Sequence, residues 1–142
     1  LKLKDLKTAI SLPQGKKFKA VVGADILHHV DLNEYIPKII NLLEKRGFII
    51  FSEPGAWNPS WYIYLSIASK WSIEKGVLQC TYFNIKNKLK KYGFQNITIS
   101  GLGLFPRPLF KWSKKLCQLN DALGNIPFLK LFAYRYIIYA SK

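Results

Sequence analysis

Two adjacent histidines, His28 and His29, are the only ones in the chain, and they sit just after Asp25 in the run Phe18-Lys-Ala-Val-Val-Gly-Ala-Asp-Ile-Leu-His-His-Val-Asp31. Imidazole exchanges a proton near neutral pH, so His28 is a candidate acid–base residue. Adjacent residues on a helix point about 100° apart, so the pair is not expected to serve one site and one member is expected to be structural. Asp25 has three readings: its carboxylate meets a cationic amino group, it orients His28, or it simply begins a turn. Glu53, followed by Pro54 and Gly55, either binds a ligand hydroxyl or amine or caps nearby backbone N–H groups. Gly23 and Ala24 are small enough for a ligand to approach the backbone closely, or they are a plain turn between a strand and a helix.

The elements that must position these residues are legible from periodicity. Phe18 to Val22 is a short apolar, β-branched run bounded by Gly23 and predicts a buried strand. Leu32 to Arg46 predicts a helix, with Ile36, Ile39, Ile40 and Leu43 at helical spacing, Asp31 and Glu34 at capping-box separation, and Lys45, Arg46 and Gly47 as the stop. Pro37 sits late for a first turn, which predicts a later start or a kink. Phe48-Ile-Ile-Phe51 is apolar on both faces, as in a central parallel strand covered on each side. Strand, helix and strand then form a βαβ unit, and in such sheets ligands bind at the carboxyl ends of the strands, where Gly23 to His29 and Glu53 would lie.

Further along, Ser60 is expected to cap an apolar helix from Trp61 to Trp71, about half the length that spans a bilayer. Thr81 to Tyr92 predicts an amphipathic helix with its lysines on a solvated face, ended by Gly93. Phe94 to Ser100 and Tyr134 to Ala140 predict strands, paired antiparallel because no helical crossover is specified between them. The intervening residues, about 102–132, contain one predicted helix from Lys111 to Leu123 and are expected to cap the ligand face. Gly101-Leu-Gly103 is a weak signal and reads as a turn.

Composition narrows the partners. At 49% hydrophobic and 21% charged residues, the chain is too apolar for intrinsic disorder. Cys80 and Cys117 stand far apart with no further Cys or His at ligand spacing, which predicts reduced thiols, no disulfide framework and no metal. The net charge of +14 fits either a biased genome composition or an anionic partner, a membrane surface ahead of nucleic acid. Trp57, Trp61, Tyr62, Tyr64, Phe105, Phe110 and Trp112, flanked by Arg107, Lys111, Lys114 and Lys115, suit an interfacial surface. The chain holds no Met, even at position 1, and Leu1-Lys-Leu-Lys-Asp-Leu-Lys7 lacks a signal-peptide apolar run, so the expectation is a cytoplasmic fragment, peripheral at a membrane if it meets one.

Taken in order, Leu12-Pro13, Phe18 to Gly23, Ile26-Leu-His-His-Val30, Arg46-Gly-Phe-Ile-Ile-Phe-Ser-Glu-Pro54 and Asn58-Pro59 resemble the class I S-adenosylmethionine-dependent methyltransferases, in their type 11 and 12 small-molecule branch. Residues 81–100 and 134–142 match the closing pattern more loosely. The resemblance implies an α/β Rossmann-like fold of which this chain supplies the fourth to seventh strands as a single partial domain, the last strand antiparallel and inserted between its neighbours. It implies S-adenosylmethionine as cofactor, bordered on its methionine side by Gly23, Ala24 and Asp25, with the family's glycine-rich loop lying upstream of Leu1. It further implies His28 as the proton acceptor and Glu53, Asn58 and Trp61 beside a small-molecule or lipid-like substrate. Alternatives are a nucleic-acid methyltransferase or basic RNA-binding module, and an inactive remnant. Methyl transfer asks mainly for alignment, so the absence of an obvious catalytic pair does not count against the reading.

Overall fold

Asp31 starts the first long helix by accepting a hydrogen bond from the Asn33 N–H at 2.8 Å, a side-chain cap on one of the donors that a helix start leaves unsatisfied. The computed structural model describes residues 16–68 and 74–142. They form four strands, β1 (Phe18–Ala24), β2 (Leu43–Pro54), β3 (Gln95–Leu102) and β4 (Arg135–Ser141), and four helices, α1 (Leu32–Leu42), α2 (Pro59–Ala68), α3 (Tyr82–Lys91) and α4 (Lys114–Gly124). Short 3-10 turns lie at Leu27–His29, Lys75–Gln79, Arg107–Phe110 and Leu129–Phe132.

The sheet order is β1-β2-β4-β3. β1 and β2 are parallel and joined through α1, while β4 runs antiparallel to both β2 and β3 between them. This is the predicted βαβ unit, with the expected insertion of the last strand. The buried face carries Ile49 and Phe51 from β2, Ile99 from β3, and Tyr136, Ile138 and Ala140 from β4, packed with Leu32 and Ile36 of α1 and Ile85 and Leu89 of α3. The opposite face is more open than the doubly apolar Phe48-Ile-Ile-Phe51 predicts: Val22 is 70% and Ile50 36% exposed.

α1 differs from expectation at its end. It closes at Leu42, before the Lys45-Arg46-Gly47 stop signal, because Leu43 is fully buried and already pairs with Phe18 of β1. The next β1–β2 pair is Ala20 with Phe48, so the intervening β2 residues bulge between them. Lys142 Nζ donates to the carbonyls of Ile40 and Leu43 at 2.8 and 3.0 Å, satisfying acceptors that the helix end exposes. Pro37 lies within the helix, and Glu34 pairs with Lys38 rather than closing a capping box.

α3 begins as predicted at Thr81, whose hydroxyl accepts from the Asn84 N–H. For α2 the expected Ser60 cap is replaced by Asn58, whose side-chain oxygen accepts from the Ser60 N–H at 2.9 Å. The predicted far end of α2, at Trp71, lies outside the described residues. Gly101-Leu-Gly103 and Gly124 pack the end of α4 onto β3: a Cβ on Gly101 would lie 1.8 Å from the Gly124 carbonyl oxygen. The 102–132 insert is thereby seated beside β3.

Candidate active site

The carboxyl ends of β1 and β2 lie side by side, Ala24 paired with Ser52. Beyond them opens a cleft of about 410 Å³, lined by Asp25, His28, His29, Pro54, Trp61, Tyr64, Leu65, Glu74, Val77, Tyr134 and Arg135. Three candidates from the sequence, Asp25, His28 and Trp61, meet there. Gly23, Ala24, Glu53 and Asn58 are not in the lining, and neither is any residue of the 102–132 insert.

The histidine turn is held from beneath by Glu53. This carboxylate is fully buried; Oε1 accepts from the N–H groups of Ile26 at 2.9 Å and Leu27 at 2.8 Å, and Oε2 stands 2.8 Å from His28 Nδ1. Of its two readings, capping is the one its contacts use, and a buried carboxylate with three donors is well compensated. From above, the Gln79 amide donates to the carbonyls of Leu27 and Val30 at 3.1 and 2.8 Å. Gly76 packs so closely that a Cβ there would lie 1.7 Å from the His28 carbonyl oxygen. The same turn carries Glu74 against the other side of the His28 ring, Oε2 to Nε2 at 3.3 Å.

His28 is 6% exposed and His29 more open, yet their ring centroids are only 3.9 Å apart. The expectation that neighbouring histidines cannot share a site therefore fails. The two residues lie in a single 3-10 turn, whose backbone projection alone sets neighbours about 120° apart; it is the side chains that bring the rings together, tilted 43° to each other.

Asp25 turns the chain out of β1 with φ +52°, a left-handed conformation that Asp tolerates better than most side chains. Its N–H donates to the Ser52 carbonyl, and its carboxylate receives Arg135 at 2.7 Å. Arg135 also donates to the hydroxyl and carbonyl oxygens of Ser52, both at 3.1 Å, which ties the ends of β1, β2 and β4 together. Its guanidinium lies 5.9 Å from the Trp61 ring centre, and Trp61 stacks on Tyr134 at 4.6 Å with the rings 2° from parallel. One wall of the cleft is thus aromatic and the other acidic and imidazole-bearing. Burial pushes the Tyr134 phenol above its ordinary range, partly offset by the Arg135 charge.

Two sequence candidates are occupied elsewhere. Asn58 is buried and donates to the carbonyls of Leu104 and Phe132 at 2.7 and 2.6 Å, so its amide fastens the insert to the start of α2. Gly23 meets the Phe51 ring, which a Cβ would approach to 2.5 Å, so its small size serves core packing. Arg135, Glu74 and Gln79 carried no local sequence signal, since each reaches the cleft only through tertiary contacts.

Solved structures share the fold. The chain superposes over 98% of its length on a SAM-dependent methyltransferase from Archaeoglobus fulgidus, with TM-score 0.57 and 20% identity. The chain has a partial class I methyltransferase fold. The same methyltransferase fold recurs in Haemonchus contortus phosphoethanolamine N-methyltransferase 2 in complex with S-adenosyl-L-methionine (TM-score 0.55, 17% identity, 88% of this chain). It recurs again in the CurJ carbon methyltransferase (TM-score 0.53, 14% identity, 88% of this chain). The chain spans 64%, 33% and 29% of those three proteins, respectively. No protein-family model matches the sequence, and no curated protein matches it. The neighbours include a nitrogen and a carbon methyltransferase, so the methyltransferase fold alone does not select the acceptor atom.

Proposed function

We propose that this chain is the C-terminal part of the catalytic domain of an S-adenosylmethionine-dependent methyltransferase acting on a small-molecule or lipid-like acceptor. One observation carries the reading: the cleft opens at the carboxyl ends of the parallel strands β1 and β2, beside an antiparallel β4 inserted between β2 and β3, the ligand position of open α/β sheets.

The residues at the end of β1 fit the cofactor's methionine part. Ala24 is exposed at the strand end, and the half-exposed Asp25 carboxylate offers a cationic amino group a partner beside Arg135. When bound, S-adenosylmethionine supplies an electrophilic methyl group. The protein's part is then to align the acceptor and keep water out. Trp61, Tyr64 and Tyr134 form a flat wall for an apolar or cationic acceptor. His28, held by Glu53 through Nδ1, lines the cleft with its second nitrogen turned to Glu74 Oε2, so the ring helps to shape the acceptor's side of the pocket.

The lipid-like alternative within that class draws on exposed aromatics, Trp57 at 43%, Phe105 at 50% and Trp112 at 75%, near Arg107 and Lys111. No helix among the described residues is long and apolar enough to cross a membrane; the exposed aromatics suit peripheral contact with lipid. Both cysteines are free, which fits a cytoplasmic setting.

Titrating the full-length protein that carries this chain with S-adenosylhomocysteine tests the reading. Saturable one-to-one binding is expected, weakened about tenfold or more by Ala24→Trp, which fills the approach to the β1 end without touching the core. Absence of saturable binding, or binding that Ala24→Trp leaves unchanged, overturns the proposal.

A further inference from the structure

We propose that His28, His29 and Glu74 form a binding site for a divalent transition-metal cation of the zinc or cobalt kind, set in the wall of the cleft. One donor atom from each residue lies within 4.8 Å of the others. Donors around a zinc ion at about 2.1 Å can be no more than about 4.2 Å apart, so a few tenths of an ångström of side-chain rotation closes the set.

The protonation pattern points the same way. His28 Nδ1 donates to the Glu53 carboxylate, which in a neutral ring leaves a lone pair on Nε2. That lone pair faces Glu74 Oε2 at 3.3 Å. The contact brings an imidazole nitrogen and a carboxylate oxygen to one point in the wall of the cleft. Beside them, His29 Nδ1 is buried without a hydrogen-bond partner, and no other buried side-chain nitrogen or oxygen among the described residues lacks one. A buried acceptor or donor left unpaired is costly, and coordination would satisfy it.

The surroundings are those of a prepared metal ligand. A ligating histidine almost always gives its other N–H to a carboxylate, which fixes the ring and its tautomer; Glu53 does this for His28. Gln79 and Gly76 clamp the same turn against the segment that carries Glu74, so the donors are pre-positioned. In a chain with 22 basic and only 8 acidic side chains, Asp25 and Glu74 line this cleft with Glu53 behind His28, and its Arg135 is engaged with Asp25 and Ser52. Two imidazoles and one carboxylate suit zinc or cobalt better than magnesium or calcium, which favour all-oxygen shells. Three protein donors leave at least one position for water or a ligand oxygen, as in catalytic rather than structural zinc sites.

The test is a metal titration of the intact protein after EDTA stripping, followed by the visible d–d absorption of Co²⁺ and by calorimetry with Zn²⁺. One ion per chain is expected, with affinity reduced about tenfold or more in both His29→Ala and Glu74→Gln and unchanged in Glu34→Gln, an exposed α1 residue that pairs with Lys38 and does not line the cleft. Both test variants leave the buried Glu53–His28 pair intact, and circular dichroism checks that they fold. Lack of saturable binding by the wild-type protein, or wild-type affinity in both folded variants, overturns the site. The titration uses neither cofactor nor acceptor, so its outcome is separate from that of the S-adenosylhomocysteine experiment.

Discussion

Glu53 Oε2 lies 2.8 Å from His28 Nδ1, while Oε1 of the same carboxylate accepts from two successive backbone N–H groups, of Ile26 and Leu27. A residue at the end of β2 therefore fixes both the backbone of the histidine turn and the orientation of its ring. The arrangement explains how a short turn can carry a buried imidazole at the mouth of a cleft. It also separates two roles: His28 faces the cavity, whereas Glu53 acts through it.

Glu53→Gln is expected to lower stability by about 1–3 kcal/mol, because an amide keeps one acceptor oxygen but turns an N–H₂ group toward donors that need acceptors. Urea unfolding followed by far-ultraviolet circular dichroism measures the loss. Glu53→Asp is expected to be comparably harmful, since the shorter side chain cannot reach both the backbone and the ring. Stability equal to wild type in both variants would show that the three contacts are not energetically coupled to folding.

Gly76→Ala should be among the more damaging single-methyl additions in the chain. Its Cβ would fall 1.7 Å from the His28 carbonyl oxygen and 3.6 Å from the Gln79 amide nitrogen, so either the 3-10 turn at Lys75–Gln79 or the histidine turn must move. A loss of roughly 2 kcal/mol or more is expected, of the size associated with overpacking. Because Gln79 clamps the same two turns, Gln79→Ala should be less than additive with it in a double-mutant cycle. Strict additivity would mean that the two contacts act on separate movements.

Much of this architecture is legible in the sequence, and the exceptions have physical causes. Phe18 to Val22, the alternation of Ile97 and Ile99, and the stripe of Ile85 and Leu89 are legible in the sequence, and each became strand or helix within a residue or two; β1, however, lies at the end of the described sheet with Val22 exposed and is not the buried strand its apolar run predicts. The end of α1 was misread because Lys45-Arg46-Gly47 is a local stop signal. The burial of Leu43 against β1 is a tertiary demand that overrides it. Glu53 had two locally equivalent readings; only the spatial approach of Ile26, Leu27 and His28 selects capping. Glu74 and Gln79 were invisible as site residues, since they follow α2 in sequence and return to the histidine turn only through the packing of Gly76 on His28. The expectation of no metal rests on cysteine and histidine spacing along the chain, which does not register that His28, His29 and Glu74 approach one another in the fold.

Alkaline conditions should destabilise the protein through two buried acids. The Cys80 thiol is held well above its ordinary range by burial first and by the neighbouring Glu53 charge second, and burial likewise raises the Tyr136 phenol. Both groups are therefore protonated in the folded state at pH values where the unfolded chain has begun to release those protons, near pH 8.5 for thiols and near 10 for phenols. Their contribution is fully present below those values and is lost as pH rises above them, because the unfolded state alone gains from deprotonation. The urea midpoint should stay level for these two groups between pH 6.5 and 8, then fall progressively from about pH 8.5 upward, with Cys80→Ala flattening the first part of the decline. The same burial predicts that a thiol reagent at pH 8 labels the half-buried Cys117 and leaves Cys80 protected until urea is added. Equal labelling of both cysteines in the native protein would contradict the burial of Cys80, and with it the origin assigned to the pH dependence.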